Sequence, residues 1–268
     1  MPVPPSPGPL ALAPADAGSR AATLRRPPID AQLARAIAAI LIWAAAQSAA
    51  AQLSGTVAGV TDYRYRGVTF SDRRPAAQAG LTYDDASGWY AGAFGSTVRL
   101  DPPPGWARSR FQAIAYGGYA LRIAPGVSLE AGGDYSAFAG LSGFNYGEVF
   151  VGASAENVSG RIHYSPRYFG TSSNAVYGEI NAAHPLIDAL RLSAHAGFSR
   201  YRYDYAYGAL YGVTPTKNIF DARIGVRADI DRFQLEVAWV GISDHSAGYF
   251  ITGRTTPNGL VASVSLAF

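Results

Sequence analysis

His163-Tyr164-Ser165 puts an imidazole and a hydroxyl two residues apart, on one face of any extended segment. A hydrolase built on such a pair needs the Ser–His contact, a group that orients the imidazole, and donors for the oxyanion. The local sequence offers no companion for either of the last two roles, and no catalytic residue is expected. His163 and His195 are both candidates for a metal. The chain has no Cys, no His-x-His and no carboxylate pair at ligand spacing, so neither a metal centre nor a cofactor is expected from sequence. Charge makes the larger constellation. Asp62, Arg64, Glu130, Asp134, Glu148, Arg161, His163, Glu179, Arg191, His195, Arg223, Arg227 and Glu236 all fall on the polar row of alternating segments. Rings of charged side chains in a narrow wet lumen set ion preference through their local field.

The elements that must position these groups are strands. From Gln52 onward, about ten residues of alternating character recur between Gly, Pro, Asp, Asn or Ser punctuation. Twelve such segments are expected: 54–66, 75–84, 88–98, 110–122, 127–138, 144–155, 157–168, 174–184, 189–203, 217–229, 232–244 and 259–268. Parity separates their faces. In 217–229, Asp221, Arg223, Arg227 and Asp229 oppose Phe220, Ala222, Ile224, Val226 and Ala228. An Arg on a lipid face would cost about 2–4 kcal/mol at the midplane, so charges confined to one face are expected to face a lumen. Connections after even-numbered segments are tight and those after odd-numbered ones mostly long, the asymmetry of a membrane barrel with turns on one side and loops on the other. Tyr63, Tyr65, Tyr83, Trp89, Tyr90, Tyr135, Tyr164, Tyr168 and Tyr201 lie near segment ends, where interfacial aromatic girdles belong. The tyrosine-rich loop 204–212 is a candidate platform for a sugar or aromatic solute, or equally a surface loop.

Composition agrees. Of 268 residues 49% are hydrophobic and 15% charged, against about 25% charged in an ordinary soluble domain. The formal charge of +3 comes mostly from Arg20, Arg25, Arg26 and Arg35, and the chain from Gln52 onward carries 18 basic and 17 acidic residues. A single Lys and no basic tail exclude a nucleic-acid patch. Residues 36–46 form an apolar run flanked by Arg35 and by Ala49-Ala50-Ala51, the pattern of a secretory signal peptide over 32–51 cleaved after Ala51. The run is too short to span a bilayer, which takes about 20 residues. The Pro- and Ala-rich stretch 1–31 is expected to be a disordered extension, or to lie upstream of a true translation start such as the codon for Leu24.

Leu260, Ala262, Val264, Leu266 and Phe268 form one apolar row that ends on an aromatic residue. A terminal strand with this alternation is expected to close the barrel against 54–66 and to carry the signal by which the assembly machinery recognises such barrels. Leu260, Val264 and Phe268 should face lipid, and Ser263 and Ser265 the lumen.

The segment Val60-Thr61-Asp62-Tyr63-Arg64-Tyr65-Arg66-Gly67-Val68, with Ser71-Asp72, Pro75-Ala76, Gln78-Ala79-Gly80 and Ser87-Gly88-Trp89-Tyr90-Ala91-Gly92, resembles the N-terminal signature of the TorF porin family. The likeness continues through Gly132-Gly133-Asp134-Tyr135, Tyr146-Gly147-Glu148 and Tyr164-Ser165-Pro166-Arg167-Tyr168-Phe169-Gly170, so it covers most of the chain from Gln52 onward. Thr69-Phe70-Ser71 stands where Ser-Gln-Ser is usual, and Phe94-Gly95-Ser96-Thr97 replaces Trp-x-Ser-Asn, which marks a divergent member. The resemblance implies a bacterial outer-membrane barrel assigned to passive transport, with no set substrate.

The fold expected is therefore all-β: a transmembrane antiparallel barrel of about 12 strands over 52–268, monomeric or trimeric, in contact with outer-membrane lipid and the barrel-assembly machinery. The function expected is a non-enzymatic porin for small polar or ionic solutes, mildly anion-preferring. An arginine wall from 157–168, 189–203 and 217–229 would face Glu130, Glu148 and Glu179. One alternative is an outer-membrane lipid hydrolase using His163 and Ser165, although Pro166-Arg167 stands where the His-x-Ser phospholipases carry Asn-Gly. The other is a non-conducting barrel filled by salt-bridged pairs.

Overall fold

The computed structural model describes residues 51–102, 104–202 and 216–268. The expected extension, the leader apart from Ala51, and the loop 204–212 lie outside them. In chain order the strands are β1 (Ala51–Val60), β2 (Arg64–Tyr65), β3 (Val68–Thr69), β4 (Ala76–Asp85), β5 (Trp89–Leu100), β6 (Ser109–Ala124) and β7 (Val127–Phe138). There follow β8 (Tyr146–Ala155), β9 (Val158–Ser165), β10 (Asn174–Ile187), β11 (Leu190–Arg202), β12 (Thr216–Ile230), β13 (Phe233–Ile242), a one-turn helix α1 (Tyr249–Thr252) and β14 (Gly259–Ala267). All but β2 and β3 join in sequence order into one closed antiparallel barrel of twelve strands.

Closure falls where the terminal alternation placed it. β14 pairs with β1 from Val60↔Ser263 to Thr56↔Ala267, and Phe268 and Gly55 exchange backbone hydrogen bonds of 2.8 and 2.9 Å. Val261, Ser263 and Ser265 are buried while Leu260 is 74% exposed and Phe268 62%. With both edges paired, the barrel leaves no open row of amides, which is what allows strands to sit in lipid.

Outward rows are apolar on strand after strand, with Val57, Leu81, Leu121, Val151, Ile162, Ile180, Ile224 and Val237 among the exposed side chains. Exposed aromatics gather at both ends. Tyr83, Trp89, Tyr119 and Phe233 lie toward the short turns, where Trp89 packs edge-on against Tyr119, and Phe111, Tyr135, Tyr164 and Phe220 lie toward the long loops. The girdle expectation is corrected for five members. Tyr63, Tyr65, Tyr90, Tyr168 and Tyr201 are turned inward, where aromatic bulk fills the barrel.

Inward glycines make that room. Gly118 faces Gly132 across β6 and β7, and a Cβ on Gly132 would lie 2.6 Å from the Phe150 ring and 3.0 Å from Gly118 Cα. Gly132→Val is therefore expected to destabilise the barrel by about 1–3 kcal/mol. Gly147→Ala, whose added carbon would meet nothing closer than 3.5 Å, should be neutral. The temperature at which each variant loses its fast-migrating folded band on electrophoresis measures the difference.

The first expected strand, 54–66, is corrected: β1 stops at Val60 and the chain turns into the barrel. β2 and β3 form a hairpin whose tip, Arg66 (φ 49°) and Gly67 (φ 78°), has both central residues left-handed, the geometry of a tight primed turn. Gly67 is required there, since a Cβ would lie 2.7 Å from Asp221 Cβ on β12.

Candidate functional site

The hairpin 61–75 is the plug of this barrel, and its base is tied by Asp62. That carboxylate takes hydrogen bonds from Arg64 Nε (2.6 Å), Ser71 Oγ (3.2 Å), the Arg73 amide (3.2 Å) and the Thr69 hydroxyl. Arg64 donates to the Pro257 carbonyl and the Thr69 amide to Thr256 Oγ1, which joins the hairpin to the long loop 243–258. Behind the hairpin stands an apolar core. Phe70 is 1% exposed and packs on Tyr63, Tyr65, Phe138 and Phe169, while Leu100 and Ile251 are fully enclosed nearby. Leu141, Phe144, Tyr168 and Phe169 on the loops after β7 and β9 belong to the same cluster. The long-loop end of the lumen is thus shut by hydrophobic packing.

Below the core lies a cavity of about 880 Å³ with many charged side chains in its wall, lined from the turn at 86–88 up to Arg66 and Gly67. Among the described residues it reaches the short-turn end at Asp84 to Gly88. Of the thirteen charged residues expected to line a lumen, eleven line this cavity. Arg191 and Arg227 do not; Arg191 instead pairs with Asp229 at 3.1 Å.

One further expectation about charge is corrected. The arginines do not form a wall opposite the acids, because the strand register sets them beside carboxylates: Arg161 bonds Glu130 at 2.6 and 3.1 Å, and Arg223 lies 3.4 Å from Glu236. Among the described residues nine carboxylates and five guanidinium groups line the cavity.

At the cavity roof, Arg66 makes a two-pronged salt bridge to Glu148 at 2.5 and 3.0 Å. Its guanidinium lies 4.2 Å from the centroid of the Tyr177 ring, with Tyr65 and Tyr168 also within cation–π range. Burial disfavours its charge, but Glu148 and the surrounding tyrosines outweigh that and hold its pKa well above the ordinary arginine value. Arg66, Tyr177 and Asp221 escaped sequence reasoning as site residues. The Arg66-Gly67 pair was the available signal, since a residue followed by Gly between extended segments marks a tight turn.

Two histidines sit beneath this latch in different states. His195 is satisfied: Nδ1 is 2.8 Å from Asn181 Oδ1, and Nε2 is 2.9 Å from Asp221 Oδ1 and 3.2 Å from the Tyr177 hydroxyl. His163 has an enclosed Nδ1 with no hydrogen-bond partner, 3.8 Å from Asp134 Oδ2 and 3.7 Å from Glu148 Oε2. Ser165 does not pair with it. That hydroxyl donates to the Gly147 carbonyl at 2.8 Å, so the nucleophile–base contact a His163/Ser165 hydrolase needs is missing.

The family model described as "Bacterial protein of unknown function (Gcw_chp)" matches residues 44–265. No curated protein matches the sequence. Among solved structures, the chain is similar to the KdgM porin at 9% identity and a TM-score of 0.48, over 80% of this chain and 98% of that one. The NanC porin gives 11% and 0.48 over the same shares, and LpxR from Salmonella typhimurium 9% and 0.38 over 80% and 99%. At these similarities the neighbours carry no argument about function, which rests on the geometry above.

Proposed function

The chain belongs to the Gcw_chp family of bacterial proteins, and we propose that it is an outer-membrane channel for small hydrophilic solutes, held shut in this structure by its own hairpin plug. The observation that carries this reading is the charge-lined cavity of about 880 Å³ inside a barrel whose outer face is apolar. A barrel that served only as a scaffold would have no need to keep that volume unfilled. The motifs shared with the TorF porins favour the same assignment. Within it, 32–51 is the export signal, cleaved after Ala51, and the Leu260-to-Phe268 row is what the barrel-assembly machinery reads.

The solutes favoured are cationic or neutral, given the excess of carboxylates on the wall. Purified, refolded protein in a planar bilayer should give discrete but infrequent conductance steps. Under a salt gradient the reversal potential should have the sign of cation preference. Anion preference would refute the charge argument, and silence from both the wild type and a plugless variant would refute the channel.

The apolar core under the long loops favours a second reading, a permanently closed barrel. The two differ in what happens when the plug is removed.

A further inference from the structure

We propose that Asp134, Glu148 and His163 form a binding site for a divalent metal ion of the zinc class, at the roof of the cavity and directly beneath the plug. One ligand atom from each lies within 4.8 Å of the other two. The His163 Nδ1 separations of 3.8 and 3.7 Å to the two carboxylates are close to those between neighbouring ligands of a four-coordinate ion, about 3.3–3.5 Å for bonds near 2.1 Å. Side-chain adjustments of a few tenths of an ångström close these two edges, and the carboxylate–carboxylate edge, within 4.8 Å, closes by rotation of the Asp134 side chain.

Acidic residues that happen to meet would not by themselves make a site; the state of His163 does. The residue is 8% exposed, and its Nδ1 is enclosed, unpartnered and directed at the two carboxylates. A buried ring nitrogen left without a partner is costly, and a metal ion satisfies it outright. Phe150 and Tyr177 flank the ring, with centroids at 5.4 and 6.0 Å, and fix its plane. Asp134 has no arginine or lysine in salt-bridge range among the described residues, so its charge is not already spent. Both Glu148 oxygens accept from Arg66, which holds the carboxylate in place, and Oε2, the oxygen 3.7 Å from His163 Nδ1, keeps a second lone pair for an ion. The cavity connects the site to the short-turn end and leaves the remaining coordination position to water.

The ligand set narrows the ion. Calcium and magnesium favour oxygen shells, whereas one imidazole with two carboxylates suits zinc and its first-row neighbours. The site does not depend on whether the barrel conducts.

The test uses the refolded full barrel, stripped with chelator and titrated with Co2+ and then Zn2+. One equivalent of Co2+ should bind with the visible bands of a low-coordinate ion, and Zn2+ should displace it. His163→Asn and Asp134→Asn, each verified as folded by electrophoretic mobility, should weaken binding by about tenfold or more. The paired change His184→Asn with His245→Asn, on the two exposed histidines, should leave it unaltered. Absence of saturable Co2+ binding, wild-type affinity in folded His163→Asn or Asp134→Asn protein, or loss of binding on removing the exposed histidines would each overturn the site.

Discussion

Arg66→Ala should turn the rarely open wild-type barrel into one that conducts for much of the recording. The substitution removes the positive partner of Glu148 and leaves a carboxylate buried at the cavity roof without compensation. Breaking a buried ion pair in this way costs about 3–5 kcal/mol, which falls on the plugged state because only there are the two groups enclosed together. That is roughly a 10²- to 5 × 10³-fold shift toward the withdrawn hairpin. The tyrosine faces around the guanidinium add to the loss, and Arg66→Lys should restore closure only partly, since an ammonium cannot fork onto both carboxylate oxygens. Glu148→Gln added to Arg66→Ala should recover part of the closure by removing the stranded charge. Single-channel recordings with chelator present measure all three without interference from metal. If Arg66→Ala protein folds and its open probability equals that of the wild type, the Arg66–Glu148 contact is not the latch.

The strands were legible because each obeys one local rule, alternation with period two against a single apolar surrounding. The row Asp221, Arg223, Arg227 and Asp229 shows it, with Asp221, Arg223 and Arg227 buried or half-buried against exposed Phe220, Ile224 and Val226. Loop lengths carried the topology for a similarly local reason, since only neighbouring strands are joined by the tight turns. The plug was not legible as a plug. Alternation runs unbroken from β1 through Asp62, Arg64 and Arg66, and a short hairpin has the same period as a barrel strand, so nothing in the pattern says where the chain leaves the wall. What decides it is distant: Thr256, Pro257, Phe138 and Phe169 supply the contacts that hold 61–75 inside. The convergence of Asp134, Glu148 and His163 was hidden for a related reason. They come from β7, β8 and β9, and only the register that sets Asp134 opposite Glu148 and Phe150 opposite His163 brings them together.

Replacing residues 62–73 by a short Gly-Ser linker should give a barrel that conducts continuously and passes larger cations than any opening of the wild type. The strand pairings of β1 with β14 and β4 do not involve the hairpin, so closure of the wall survives its removal. What is lost is the packing of Phe70, Tyr63 and Tyr65 against the long-loop core, at about 1.5–3 kcal/mol for each fully buried large apolar side chain. The remaining core residues on β5, β7 and the loops would then face water across the opened mouth, so a lower unfolding temperature should accompany the gain in conductance. This pairing separates the two readings of the barrel. In a gated channel, stability is spent holding a mouth shut, and removing the hairpin must yield current. In a permanently closed barrel, the loop core itself seals the lumen, and the linker variant would lose stability while staying silent. The cavity already runs from the short turns to the underside of Arg66, and Tyr63, Tyr65 and Phe70 are the hairpin's share of the apolar packing above it, so current through the linker variant is the expected result.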